Sequence, residues 1–439
     1  MRGITKKIHL TLPIPTEEDC VSDQERIQRA LKKQGVDAVL PLPILRKLYP
    51  FCTEENWDFT ISLAYDGGQW TAVNLEPQDT TACHYGYAAD LGSTTLVIRL
   101  LNCNTGEILG EASAYNHQIQ FGEDILTRIF HAKDQPEHLE QLRRATVDTF
   151  LEVFTQLEDK TGISCSECIS MIVAGNTTMV HFLLGIDAFC VFSSPYAVHT
   201  LNPGFLCARE LGFPLLGYVY CYPGKANYLG GDIISGAIAT GIYEKEELSL
   251  FFDIGTNGEL IIGNREFLLC GAGAAGPALE GGSVKTGMRA VPGAVERVEL
   301  KDGHFHLSTI GQKPPLGICG SGIVDMLAQL FLNGWISIQG KFLPEKSPLI
   351  HLEEEEYCVT YAPGLNFYQS DIDEFLKTKA AAVTMIYYML ELTGLPADEI
   401  GHFYMAGAFG AHISKESAVT IGMYPDVERE KLVPVGNSS

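Results

Sequence analysis

Basic residues and long apolar runs are both scarce in this sequence of 439 residues. Only 31 Lys and Arg stand against 54 Asp and Glu, a formal net charge of −23. A surface of that sign cannot release counterions from a polyanion, which argues against non-specific binding to nucleic acid or to an anionic membrane. No apolar run approaches the roughly 20 residues of a membrane span. The N-terminal MRGITKKIHLTLPIPTEED has basic residues, but Pro13 and Pro15 interrupt a short apolar run, so it does not read as a signal peptide. A cytoplasmic protein is expected. The twelve cysteines are scattered from Cys20 to Cys358 without repeated spacing, which excludes a disulfide framework. The lone C-x-x-C, Cys165 to Cys168, has no second pair at zinc-ribbon spacing, so buried reduced thiols are expected there, with metal or redox chemistry the minor alternative. A Walker A pattern is also missing, so any nucleotide chemistry is not that of a P-loop enzyme.

What is present is core. Hydrophobic residues make up 46% and charged residues 19% of the chain, which suits a folded protein with substantial buried sheet. The length implies two or three domains. Residues 1–80 suggest a small α/β unit: a strand at 6–12, a helix at 24–35, another around 42–51, and two alternating strands about the Gly67-Gly68 turn. No chemistry is visible there, and a docking or spacer module is the plain reading.

From residue 86 the pattern becomes hairpins alternating with helices. YAADLGSTTLVIRLLNCNTGEILGEASAYN reads as three strands, a helix then ends at Gly162, and CISMIVAGNTTMVHFLLG follows as buried strand, turn and helix. LSLFFDIGTNGELIIGNREFLLCGAG repeats the plan, with a helix ending at Gly394 and a buried strand in GHFYMAGAFGAH. The expected fold is therefore α/β and internally duplicated, with halves at 86–245 and 246–439 and a cleft between them.

The turn DLGSTT interrupts an apolar hairpin with polar residues. A triphosphate needs close-range donors and a cation: Gly92 admits the backbone, the amides and hydroxyls of Ser93, Thr94 and Thr95 can cradle phosphate, and Asp90 can hold Mg²⁺. DIGTNGE offers the same parts in Asp253, Gly255, Thr256 and Asn257. One such turn is as readily a plain hairpin; two copies in corresponding places favour phosphate binding. NYLGGDIISGAIATGIY reads as a helix entered through Gly230 and Gly231, where Asp232 either orients an attacking water or merely caps the helix. MAGAFGAH offers bare backbone at Gly407 and Gly410, around Ala408 and Phe409, where a purine could lie; a simple strand-to-helix turn is the alternative. The glycine-rich CGAGAAGPALEGGSVKTGM, with Gly276 and Glu280, and the helix start at Gly320 and Ser321 are further candidates. His304 and His306 share one face of an exposed hairpin, and HLEEEEY at 351–357 reads as a solvated acidic face or a partner-docking patch; neither is assigned a function.

In order, DLGSTT, GGDIISGA, DIGTNGE and MAGAFGAH resemble the phosphate-1, connect-1, phosphate-2 and adenosine segments of the superfamily of sugar kinases, actin and heat-shock chaperones. VAGNTTMVHFLLG, AGPALEGG and GICGSGIVDML are similar, more narrowly, to the ATP-dependent reductive activators of corrinoid proteins, which return cob(II)alamin to cob(I)alamin. The resemblance covers residues 86–437, and residues 1–80 look like that family's linker and middle region. It implies an actin-like ATPase with ATP and Mg²⁺ as cofactors, Asp90 and Asp253 at the metal and phosphates, and Gly407 to Gly410 at adenosine. It also implies a hinge closure coupled to a corrinoid protein, either a cobalamin-dependent methyltransferase or a corrinoid iron–sulfur protein. Such activators usually carry an N-terminal plant-type [2Fe–2S] domain with four clustered cysteines. Before residue 83 this chain has only Cys20 and Cys52, so no iron–sulfur cluster is expected in it, and the electron would come from an external donor or a missing domain. The sequence also stops at LVPVGNSS, where the family continues, as a piece of a longer or split protein would. Whether the chain forms a homodimer is left open. The alternatives are a small-molecule kinase of the same superfamily and an actin-like or chaperone-like nucleotide switch.

Overall fold

A computed structural model describes residues 3–255, 258–273 and 281–436. The first elements are β1 (Thr5–Thr11), α1 (Asp23–Lys33), β2 (Ala38–Val39), α2 (Leu42–Leu45), α3 (Leu48–Glu54), β3 (Asp58–Tyr65) and β4 (Trp70–Pro77). They form a sheet of order β1-β3-β4-β2. Ile27 and Leu31 of α1 are buried with Phe59, Ile61 and Leu63 of β3, and the Ser22 hydroxyl caps α1 by accepting from the Glu25 amide. The single helix expected around 42–51 is instead α2 and α3. Pro50 has no amide hydrogen to give to the residue four before it, so a helix cannot run through from Leu42 and restarts at Leu48.

The second group comprises β5 (Tyr85–Leu91), β6 (Thr95–Asn102), β7 (Ile108–Tyr115), α4 (Ile125–Ala132), α5 (Pro136–Thr161), β8 (Cys168–Gly175), α6 (Thr177–Leu184), α7 (Phe189–Phe192), β9 (Gly204–Cys207), α8 (Ala208–Leu211), β10 (Tyr218–Cys221) and α9 (Gly231–Thr240). Its sheet runs β7-β6-β5-β8-β10-β9, with β5 antiparallel to β6 and parallel to β8. Leu142, Phe150, Phe154 and Leu157 of α5 are buried over this sheet, and Phe154 stacks on Tyr87 at 4.9 Å. Each such fully buried side chain contributes on the order of 2 kcal/mol. Gly162 closes α5 at φ 73°, the left-handed conformation a glycine adopts without strain. The N-terminal sheet packs on this one: the Tyr65 ring meets Phe205 edge-on at 5.6 Å, and Thr5 Oγ1 bonds His84 Nε2 at 2.8 Å.

The third group is β11 (Ser249–Ile254), β12 (Gly258–Gly263), β13 (Leu268–Gly273), β14 (Ala294–Lys301), β15 (His304–Thr309), β16 (Gly317–Ile318), α10 (Gly320–Leu332), β17 (Ile350–Glu353), β18 (Glu356–Ala362), β19 (Leu365–Tyr368), α11 (Gln369–Thr393), β20 (His402–Ala406), α12 (Gly407–His412), α13 (Lys415–Thr420) and β21 (Leu432–Gly436). Its main sheet runs β13-β12-β11-β20-β21, with β11 antiparallel to β12 and parallel to β20. The path is that of β7-β6-β5-β8-β10, so the duplicated actin-like plan expected from sequence is the fold of the protein. Two small sheets, β15-β14-β16 and β17-β18-β19, are inserted between β13 and α11. The chain divides into two compact units inside α9, between Ile234 and Ser235. Among the described residues no helix is long and apolar enough to cross a membrane.

The acidic run 351–357 is the hairpin β17–β18, turned by Glu354 and Glu355 with positive φ at both (48° and 71°); as expected it is solvated, with only Glu353 and Glu356 half-buried. Glu353 accepts from Tyr368 Oη and Asn366 Nδ2, while Glu356 pairs with Lys285 and accepts from the Ser370 amide. Alternation places these carboxylates on one side of the ladder, where neighbouring strands and helices supply donors.

Candidate nucleotide site

In the first unit Asp90 is the penultimate residue of β5, opposite Val97 of β6 and Ala174 of β8. The turn that follows is held by its carbonyls. Gly92 O accepts from Asn116 Nδ2 at 3.0 Å, Ser93 O from Arg128 Nη1 at 2.6 Å, Thr94 O from the Asn116 amide at 2.9 Å, and Thr95 O from the Gly92 amide at 3.1 Å. Four successive acceptors are thus engaged by the protein, which fixes the turn and occupies the groups that would repel an anion. A Cβ on Gly92 would lie 2.6 Å from Thr95 O, so only glycine fits this turn. Arg128 is wholly buried and also donates to Gly122 O (2.8 Å) and Gln118 Oε1 (3.3 Å). Burial lowers its pKa to about 10, which still leaves it charged at neutral pH. Asn116 and Arg128 escaped the sequence reading because side-chain-to-carbonyl bonds across more than twenty residues leave no local pattern.

Asp232 reaches the same region from α9. Gly230 passes so close to the end of β8 that a Cβ there would stand 2.3 Å from Gly175 O and 2.4 Å from Asn176 Cα; one on Gly231 would stand 2.7 Å from Tyr222 Cβ. This contact sets the first turn of α9 beside β5 and β8. Burial pushes the Asp232 carboxyl up to about 7, the Asp90 charge adds to the rise, and the Ile233 amide, donating to Asp232 Oδ1 at 2.9 Å, opposes it. Two carboxyls within electrostatic reach of each other in a recessed place suit a divalent cation, which would relieve both effects.

In the second unit Asp253 occupies the equivalent position on β11, opposite Glu259 of β12 and Ala406 of β20, and Gly255 follows it. The parallel neighbours also correspond: β8 ends Ala174-Gly175 before α6, and β20 ends at Ala406 before Gly407 opens α12. Gly407 has φ 80°, and a Cβ on Gly410 would lie 3.2 Å from the Met405 carbonyl carbon, so both glycines answer to backbone geometry. Thr256, Asn257, Gly276 and Glu280 lie outside the described residues, as do the side chains of Ala408 and Phe409.

Gly320 and Ser321 form the first turn of α10 and are buried against β14. Ser321 Oγ donates to Glu296 O at 3.2 Å, and a Cβ on Gly322 would stand 2.2 Å from Val295 O. In the described structure these atoms pack the helix. Cys165 and Cys168 are buried free thiols, and burial raises both, Cys165 to about 12. His304 and His306 lie on the exposed hairpin expected, β14–β15.

Two sheets of one topology, each with an aspartate at the end of its central strand, define the actin-like, or ASKHA, class. Residues 247–439 match the family model described as the C-terminal domain of RACo, the ASKHA domain; residues 85–245 match the RACo middle region and residues 1–82 the RACo linker region. A solved structure of a reductive activator for corrinoid, iron–sulfur protein is similar to this chain with a TM-score of 0.91 at 34% identity, covering 99% of this chain and 72% of that one. The chain belongs to this family of corrinoid reductive activators. It is 31% identical to the corrinoid activation enzyme RamQ of Eubacterium limosum over 81% of this chain. It is 22% identical to the [Co(II) methylated amine-specific corrinoid protein] reductase of Methanosarcina barkeri, again over 81%. The matched part spans 63% of the first relative's length and 68% of the second's.

Proposed function

We propose that this chain is the ATP-binding and hydrolysing module of a reductive activator that returns a Co(II) corrinoid protein to Co(I). The observation that carries the proposal is the equivalence of Asp90 and Asp253, at one register position of two sheets of the same topology. In the first unit Asp90 holds Mg²⁺, directly or through water, and the amides and hydroxyls of residues 93–95 receive phosphoryl oxygens, the Gly92 amide being used within the turn. Asp232, recessed at the start of α9, orients the attacking water and accepts its proton. In the second unit Asp253 and Gly255, with Thr256 and Asn257, serve the phosphates, and the backbone around Gly407 to Gly410 serves adenosine. Gly320 and Ser321 enter only as the packing that fixes α10. Mg²⁺ supplies neutralisation of the phosphate charge. The electron comes from an iron–sulfur donor on a separate domain or protein, and hydrolysis supplies the free energy for an uphill one-electron transfer to cobalt. The three segments 1–80, 86–245 and 246–439 are read as linker module and two actin-like halves.

The test is Mg²⁺-ATP hydrolysis by the purified chain with and without a corrinoid protein in the Co(II) state, with Asp253→Ala as control. The expected result is turnover stimulated by the corrinoid protein and lost in the variant. Turnover indifferent to the corrinoid protein but dependent on a small hydroxylated acceptor would replace the proposal with a kinase, and nucleotide-dependent filaments or peptide binding would replace it with a switch protein.

A further inference from the structure

The hairpin β17–β18 takes no part in the proposed nucleotide chemistry, yet it gathers an imidazole, a carboxylate and a thiol. His351 and Cys358 face each other directly across the ladder, and Glu353 follows His351 by two residues, on the same face. One donor atom from each of the three lies within 4.8 Å of the other two. Cys358 Sγ is 3.4 Å from His351 Nε2 and 3.7 Å from Glu353 Oε2. Neighbouring ligands of a tetrahedral zinc ion, with bonds of ~2.0 Å to nitrogen and ~2.3 Å to sulfur, stand roughly 3.5 Å apart. Two edges of such a tetrahedron are therefore already formed.

We propose that His351, Glu353 and Cys358 form a binding site for a divalent metal ion of the zinc class.

The surroundings orient the three donors as the outer shell of a metal site does. His351 Nδ1 donates to the Leu349 carbonyl at 3.1 Å, which leaves the lone pair on Nε2, the nitrogen facing the thiol. Glu353 Oε2 is anchored from β19 by Tyr368 Oη at 2.8 Å and Asn366 Nδ2 at 2.6 Å. The donor set is borderline-soft and has three members, so it selects zinc over Mg²⁺, which takes six hard oxygen ligands. Cys358 is fully buried and His351 exposed, so a fourth position is left on the solvent side, for water or for a ligand from a docked protein. Binding forms a metal–sulfur bond and releases the thiol proton to solvent. A plain hydrogen-bonded trio is the competing account.

Cobalt(II) serves as the probe, because a thiolate ligand gives it a sulfur-to-metal charge-transfer band that oxygen sites lack. The metal-free full chain is titrated with Co²⁺ and back-titrated with Zn²⁺. The expected result is one Co²⁺ per chain with that band, displaced by one equivalent of Zn²⁺, absent in Cys358→Ser and at least tenfold weaker in His351→Ala. Cys358 is buried, so His351→Ala, at an exposed position, decides the matter if Cys358→Ser fails to fold. No band in the wild type, or a band undiminished by His351→Ala, overturns the site, the latter by placing the metal on other cysteines. Neither outcome touches the ATPase proposal.

Discussion

At Asp232 burial, and after it the neighbouring Asp90, disfavour the charged carboxylate, while backbone hydrogen bonds at Ile233, Asp232 and Gly230 favour it without offsetting them. A carboxyl raised in the folded state above its unfolded value of about 4 contributes stability that is fully present below about pH 4 and is lost progressively as pH rises from about 4 to about 7. Asp232→Asn keeps the carbonyl that accepts from Ile233 and removes the charge. Without Mg²⁺ and nucleotide, the variant is expected to match the wild type in denaturant unfolding only at about pH 3, below the unfolded value. At about pH 8, above both values, it should exceed it by a few kcal/mol, about 1.4 kcal/mol for each pH unit between the two values, with hydrolysis reduced roughly 100-fold or more. An identical difference at both pH values would show that Asp232 ionises normally. Asp90 and Asp253 were legible in the sequence because each stands in a polar break within an apolar hairpin. Arg128 was not, since a buried guanidinium bonded to Ser93 O is a product of α4 packing behind the turn.

Among the elements, the contact between the start of α9 and the end of β8 is the most demanding. The backbone at Gly175 and Asn176 cannot yield to a methyl group placed 2.3–2.4 Å away. Gly230→Ala is therefore expected to cost about 3 kcal/mol or to displace α9, with loss of ATP binding. Gly68→Ala is the comparison: its nearest neighbour would be Asp66 Oδ1 at 3.6 Å, and its stability should stay within about 0.5 kcal/mol of the wild type. Equal effects would remove the close approach as the reason for the glycine. Hairpins β5–β6–β7 and β11–β12–β13 were legible from alternation, and α5 and α11 from periodicity and the glycines that cap them. The split into α2 and α3 was not read because the weight went to the apolar pattern and not to Pro50. Hairpin β17–β18 was hidden because four consecutive glutamates carry no usual turn signal, and the partners of Glu353 and Glu356, Tyr368, Asn366 and Lys285, come from other elements.

For the whole molecule, ligand linkage gives a direct measure of the nucleotide reading. Mg²⁺-ATP at about 100 times its dissociation constant should stabilise the chain by about 2.7 kcal/mol, seen as a rise in Tm, and Asp90→Ala should abolish the rise. An unchanged Tm at millimolar Mg²⁺-ATP would count against both acidic turns as phosphate sites. The sequence by itself determined the class: repeated strand–turn–strand segments with an acidic residue and glycine at each turn indicate the duplicated α/β plan, because alternation and turn chemistry are local or periodic properties, while the order and pairing of the strands in each sheet came from the structure. It also indicated the family, through motifs in order. Only the tertiary structure decided what surrounds those turns. Asn116 and Arg128 behind the first turn, the raised carboxyl of Asp232, the use of Ser321 in packing and the gathering of His351, Glu353 and Cys358 all depend on which side chains meet across the fold. Such meetings are set by packing between residues far apart in the chain or on facing strands, and no spacing along the sequence encodes them.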